Sequence, residues 1–242
     1  MKIRPTVLFL HRWVGLIVGL FLVMQGMTGA ILAFQREIFA ALHPALFHAS
    51  GPADPNVGFS AAIRAAEEAG SRGVQQVRPP DAVWPVWVAF DRRQRGQPGA
   101  WASYIDPATG HVLGRHDVST GFVSTVHSLH EFLLLREYNG RTIIGWFGVI
   151  LLTLALTGLW TWWPRGGASY KEALTLIRRR PFVRFNLDLH QVTGIWILVV
   201  FLSMSISGTA IIFPDVYRGL LGIAAPARPA PAPPRREPFT VD

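Results

Sequence analysis

One pattern occurs twice in this chain and limits what it can fold into. Leu10-His11-Arg12-Trp13-Val14-Gly15 runs on to Thr28-Gly29 and Phe34, and Leu189-His190-Gln191-Val192-Thr193-Gly194 runs on to Ser207-Gly208 and Phe213. Both fit Leu-His-x3-Gly-x12-(Thr/Ser)-Gly-x4-Phe without a gap, and the residues between are almost all apolar. Eighteen residues separate each His from its second Gly. In a helix that is five turns, so both lie on one face, about 27 Å apart along the axis. Gly15 and Gly194, four residues after each His, share that face. The repeated element is a membrane-length helix with an imidazole at one end and small residues beneath it.

Three stretches have this character. Trp13 to Phe34 holds 22 residues with no charge, enough to cross a hydrocarbon layer of about 30 Å. The stretch is too long for the apolar part of a cleaved signal and continues into Gln35-Arg36-Glu37, which reads as a retained anchor. Thr142–Trp163 and Leu189–Phe213 are the second and third spans, the second closed by Trp160, Trp162, Trp163 and Pro164 as at a headgroup layer. The resulting division is a first transmembrane helix within 1–34, an outer module 35–117, an amphipathic helix 118–141, a second span 142–164, a basic loop 165–188, a third span 189–213 and a Pro-rich tail 214–242. Within that tail, 225–238 cannot build a core. The fold class is therefore an α-helical membrane protein with three transmembrane helices and a small α+β module.

The module is read from its punctuation. Phe59–Gly70 is a short helix ending at glycine. Val74–Phe90 is rich in Val and Trp, Ala100–Ile105 alternates as a strand, Asp106–Gly110 is a turn, and His111–Leu113 opens another strand. A helix followed by about three strands gives the α+β unit.

Charge supplies orientation. The net charge of +8 does not indicate nucleic acid, because the basic residues cluster beside apolar spans. Arg165, Lys171, Arg178, Arg179, Arg180 and Arg184 all fall in the loop 165–188, and the positive-inside rule places that loop in the cytoplasm. The N-terminus is then cytoplasmic, and the module and the tail lie outside. His11 and His190 fall at cytoplasmic ends of parallel helices, at similar depth. His127 and His130 fall near the outer surface.

The histidines carry the chemistry. With no Cys in the chain, thiolate sites and cysteine nucleophiles are excluded. Neutral imidazoles from two helices are a common way to hold a b-type haem. His11 and His190 form such a pair, with Gly15 and Gly194 clearing room one turn below. The competing reading is two interfacial histidines beside a packing stripe. His127 and His130, three apart on one helix face, serve one metal or a second haem, or are two solvated side chains; His43 and His48 are candidate partners for them. His111 and His116 read as ordinary surface residues. Thr157-Gly158 repeats the Thr-Gly ending in the second span, with Gly140 where the pattern would require His, and reads as a surface for close helix packing. No Gly-rich phosphate loop and no flavin or nicotinamide fingerprint is present, so an electron donor must be another molecule.

These residues resemble a known family, the bacterial membrane proteins with PepSY-associated transmembrane helices. The resemblance covers most of residues 5–215. It is carried by LHRWVGLIVG with MTGAILAF, YIDPATGHVLG, SLHEFLLL, GRTIIGWFG, LTGLWTWWPR, FNLDLHQVTGIW and SGTAIIF. It implies a PepSY module on the periplasmic side of a bacterial inner membrane. It implies haem ligands at His11, His130 and His190. For some members it also implies reduction of ferric siderophores, while others are known as iron-regulated membrane proteins. Longer members have a fourth span. A single haem at the cytoplasmic end would lie far from a periplasmic acceptor, so the path is expected to need a second haem or a partner subunit, and self-association as a homo-oligomer is a further expectation.

Two functions follow as expectations. The first is a haem-b electron-transfer protein, with one or two haems held by His11, His190, His130 and His127, passing electrons from an unknown donor to a ferric siderophore. The second is a non-redox anchor in the lipid bilayer whose module binds a periplasmic protein or peptidase through strand edges in 74–115. A transport role is disfavoured, because between their ends the spans carry no ionisable side chain.

Overall fold

The computed structural model describes residues 3–71, 73–92, 99–163, 170, 174–176 and 181–224. Among them, helix α1 runs Ile3–Ala33, α2 Gln35–Leu42 and α3 Phe59–Glu68. Strands β1 Val74–Arg78, β2 Trp87–Asp91, β3 Trp101–Ile105 and β4 Val112–Asp117 follow. Helices α4 Gly121–Phe132, α5 Gly140–Trp162, α6 Phe182–Ile212 and α7 Pro214–Leu221 complete the order. The chain divides into two compact units, Arg12–Ile144 and Met1–His11 with Gly145–Asp242.

Helices α1, α5 and α6 are each long and apolar enough to cross a membrane. Their 31, 23 and 31 residues correspond to about 46, 35 and 46 Å. Leu20 is 77% exposed, Val199 73% and Trp196 70%. Large apolar side chains turned outward on this scale are stable only against lipid. The helix α6 starts at Phe182, seven residues before the third span read from the sequence, because Arg184 and Asp188 extend it. Their 3.0 Å ion pair is one turn apart on the helix. In the same unit, Gly145 and Gly148 of α5 face α6. A Cβ on Gly145 would lie 2.6 Å from Phe213, and one on Gly148 2.8 Å from Thr209. Missing side chains let these two helices close up, as lipid-embedded helices require. The Pro-rich tail expected from 214 begins as α7; residues 225–242 lie outside the described residues.

The other unit contains the sheet, an antiparallel meander in the order β1-β2-β3-β4. It has four strands where the sequence indicated about three, because Val74–Phe90 contains two strands separated by the Pro79–Pro85 turn. Alternation gives both faces a core. Trp87, Ala89 and Ile105 meet α3 through Ala62 and Ala66, both fully buried. Val86, Val88, Ala102 and Tyr104 meet Phe39 of α2 and Trp84. The amphipathic helix expected over 118–141 ends at Phe132, where Leu133 and Leu134 take positive φ.

The aspartate of the Asp106–Gly110 turn is structural. Its carboxylate accepts from the Ala108 amide at 2.9 Å and from the Ser50 hydroxyl. Burial alone would raise this carboxyl, but the bonds from Ser50 and Ala108 outweigh it and hold it below the usual range.

Asp81 fastens α2 to the sheet. It accepts from the amides of Val83 and Trp84, both at 2.9 Å, and pairs with Arg36 at 2.5 Å. The Trp84 amide bond and then Arg36 pull its carboxyl from 3.8 to about 2. A depressed carboxylate contributes stability above its unfolded pKa and loses it as pH falls through the folded one. Asp81→Asn is therefore expected to destabilise the module by less than about 1 kcal/mol at neutral pH, since the pair is solvent-screened. The difference from wild type should vanish as pH falls from about 4 to about 2. Hydrogen exchange at the Trp84 amide measures it.

Candidate functional site

The structure brings His11 and His190 together. Their ring centroids are 6.4 Å apart, with planes at 61°. Both histidines belong to the same compact unit. His190 is exposed, whereas His11 is half-buried against α5. His11 Nδ1 lies 3.0 Å from Thr157 Oγ1. A Cβ on the next residue, Gly158, would come 3.2 Å from His11 Cε1. Thr157-Gly158 is thus more than a plane for helix backbones: it seats an imidazole, and a larger residue at 158 would push the ring away. Near the start of α1, Arg4 donates to the Thr161 carbonyl at 3.1 Å.

A second imidazole is seated the same way in the other unit. His130 Nδ1 lies 2.9 Å from Thr28 Oγ1, and a Cβ on Gly29 would lie 3.3 Å from His130 Cε1. Gln25 adds a further tie, its Nε2 donating to the His130 carbonyl at 3.1 Å. Burial holds the His130 imidazole below the ordinary histidine range, against the opposing pull of Glu131 and with help from His127.

His127 lies on the helix surface, its Nε2 3.6 Å from Glu131 Oε1. On their own helices, a Cβ on Gly15 or on Gly194 would touch nothing within 4 Å. Space is therefore open one turn from each histidine of the pair. His48 and His111 are exposed. His116 is not the surface residue expected from its strand. It faces the Tyr104 side of the sheet, its ring 4.4 Å from that of His43 and 5.2 Å from Phe39. Burial, then the neighbouring His43, lowers its imidazole from the ordinary range. Burial likewise raises the Tyr104 phenol. Among the described residues, no group of three or more His, Asp or Glu is arranged to hold a metal ion.

Sequence reasoning missed the partners. Thr28, Thr157 and Gln25 touch the histidines from 102, 146 and 105 positions away in the chain. The one available signal was the Thr-Gly ending of α5, which recurs where no histidine shares its helix face.

Three membrane-length helices, with a four-stranded sheet and short helices between the first two, define an α-helical membrane protein carrying a small α+β module. The chain belongs to the family described as the PepSY-associated TM region, whose model matches residues 8–240. No curated protein matches it.

Proposed function

We propose that this protein binds haem b and transfers electrons across the bacterial inner membrane as a ferric-siderophore reductase-type component of iron uptake. The observation that supports this reading is the His11–His190 pair. Two imidazoles from different helices would hold a haem iron, and here their ring centroids lie 6.4 Å apart. The donor set fits the group as well: two neutral-capable nitrogens, no thiolate, and glycines rather than side chains one turn along each helix.

When bound, haem supplies a one-electron carrier. The chain's own residues do the rest. His11 and His190 would hold the iron, Thr157 would orient the His11 ring, and the apolar faces of the helices would exclude water. His130, oriented by Thr28, is assigned to a second haem. The basic stretch 165–188 favours a cytoplasmic location for the His11–His190 end. Electrons enter from a separate donor, and a partner subunit or second copy completes the path to a ferric chelate.

The test is the visible spectrum of the full chain purified in detergent after expression with haem supplied. Soret and α bands that sharpen on reduction are expected. A colourless protein that takes up no added haemin would refute the proposal.

A further inference from the structure

We infer that Thr157 and Thr28 are positioning residues that fix the tautomer of His11 and His130, with the proton on Nδ1 and the lone pair of Nε2 free to ligate. A threonine hydroxyl has one hydrogen to donate and lone pairs to accept. Thr157 Oγ1 lies 2.9 Å from the Thr153 carbonyl and 3.1 Å from that of Leu154. Carbonyls only accept, so the single hydroxyl hydrogen is committed to its own helix. With that hydrogen on the helix, Thr157 presents a lone pair toward His11 Nδ1 at 3.0 Å, and the imidazole donates to it.

The same count holds for Thr28. Its hydroxyl lies 2.8 Å from the Met24 carbonyl and 3.2 Å from that of Gln25, while His130 Nδ1 approaches at 2.9 Å. Each neutral ring thus carries its hydrogen on Nδ1 and presents Nε2 as a base. That is the arrangement outer partners impose on metal-bound histidines, where the second nitrogen donates and the ligand becomes more electron-rich.

The adjoining glycine completes the device. Gly158 and Gly29 leave the ring edge at Cε1 only the space it fills, 3.2 and 3.3 Å from where a Cβ would stand. A Thr-Gly pair is therefore a seat that sets both the position and the tautomer of a histidine from another helix. The third copy, Ser207-Gly208, works differently: Ser207 donates to the Met204 carbonyl at 3.3 Å, and a Cβ on Gly208 meets nothing within 4 Å. The repeat in the sequence is a repeat of seats, two of which hold imidazoles.

The tautomer assignment stands on the threonines alone; its bearing on the iron rests on the proposed haem function. Nitrogen-15 NMR of the full chain without haem, with labelled histidine in detergent micelles, decides the first part. The signals are assigned by their loss in His11→Gln and His130→Gln. Both rings should show a protonated Nδ1 and an unprotonated Nε2. In Thr157→Val, which keeps the shape and removes the acceptor, His11 should move toward the Nε2-protonated form while His130 does not change. Thr157→Ser should restore the wild-type pattern. A wild-type His11 already protonated on Nε2, or one that does not respond to Thr157→Val, overturns the inference.

Haemin titration then reads the consequence. Thr157→Val should weaken binding about 10- to 100-fold, the usual effect of losing such a partner. It should also raise the midpoint potential of any haem retained, because a less electron-rich imidazole favours the ferric state less. Thr157→Ser should reverse both. If wild type takes up no haemin while the NMR pattern holds, the proposed function fails and the tautomer assignment stands.

Discussion

Replacing His190 or His11 by Ala is expected to abolish the proposed haem binding. Each substitution removes one of the two imidazoles whose ring centroids lie 6.4 Å apart. Losing a mere outer partner costs about 10- to 100-fold in affinity, so losing an iron–nitrogen bond should cost more than about 100-fold. Absorbance of the Soret band per protein, after purification at matched expression, measures it. Any haem that remains should be five-coordinate and high-spin. The two variants need not behave alike. His11 is held by Thr157, whereas among the described residues no hydrogen bond holds the exposed His190 ring, so ordering His190 is a cost of binding. His116→Ala, on the opposite chemical footing in the sheet, should keep full haem content. Equal haem in all three variants would remove the pair from the account.

The second large effect lies in the module. Trp84→Ala should cost about 3–5 kcal/mol, the usual range for truncating a buried tryptophan. Trp84 is 8% exposed. Its ring meets Phe47 at 5.3 Å, Phe39 at 5.9 Å and Tyr104 at 6.4 Å, and the Arg36 and Arg78 guanidinium groups lie over it at 4.9 and 5.3 Å. Its indole donates to the Arg36 carbonyl at 3.0 Å. A unit this small has little stability to spare, so the sheet should open while the spans, which are built by lipid and backbone bonding, keep their helices. Limited proteolysis of the full chain in detergent should cut within 35–117 in the variant, with little loss of far-ultraviolet helical signal. Unchanged protease resistance would show that the aromatic cluster is not what holds α2 to the sheet.

These expectations divide by how far their causes lie apart in the chain. The spans were legible because a lipid-facing helix must be apolar on every side, and twenty such residues in a row have few other uses. The pairing of His11 with His190 was legible from a repeat that puts each imidazole at the same helical position. The starts of α5 and α6 were less so: Gly140, placed by the sequence within the amphipathic helix 118–141, opens α5, and Arg184 with Asp188 hides helix inside a basic stretch. His116 was misread because strand alternation tells which face a residue takes only once the register is known. Its partner across β3 is Ala102, on the same face as Tyr104. The threonine seats were illegible for a similar reason. Thr28 belongs to the helix of His11 but touches His130, and Thr157 touches His11. No helical period links residues on different helices, so only the packed structure shows which seat serves which ring.

Near-infrared magnetic circular dichroism of the ferric full chain tests the proposed ligation of haem iron by His11 and His190, because the charge-transfer band of low-spin ferric haem reports its axial ligands. The account predicts the band of a bis-imidazole haem, lost in both His11→Ala and His190→Ala. A high-spin spectrum, or a bis-imidazole band that persists in either variant, would contradict it.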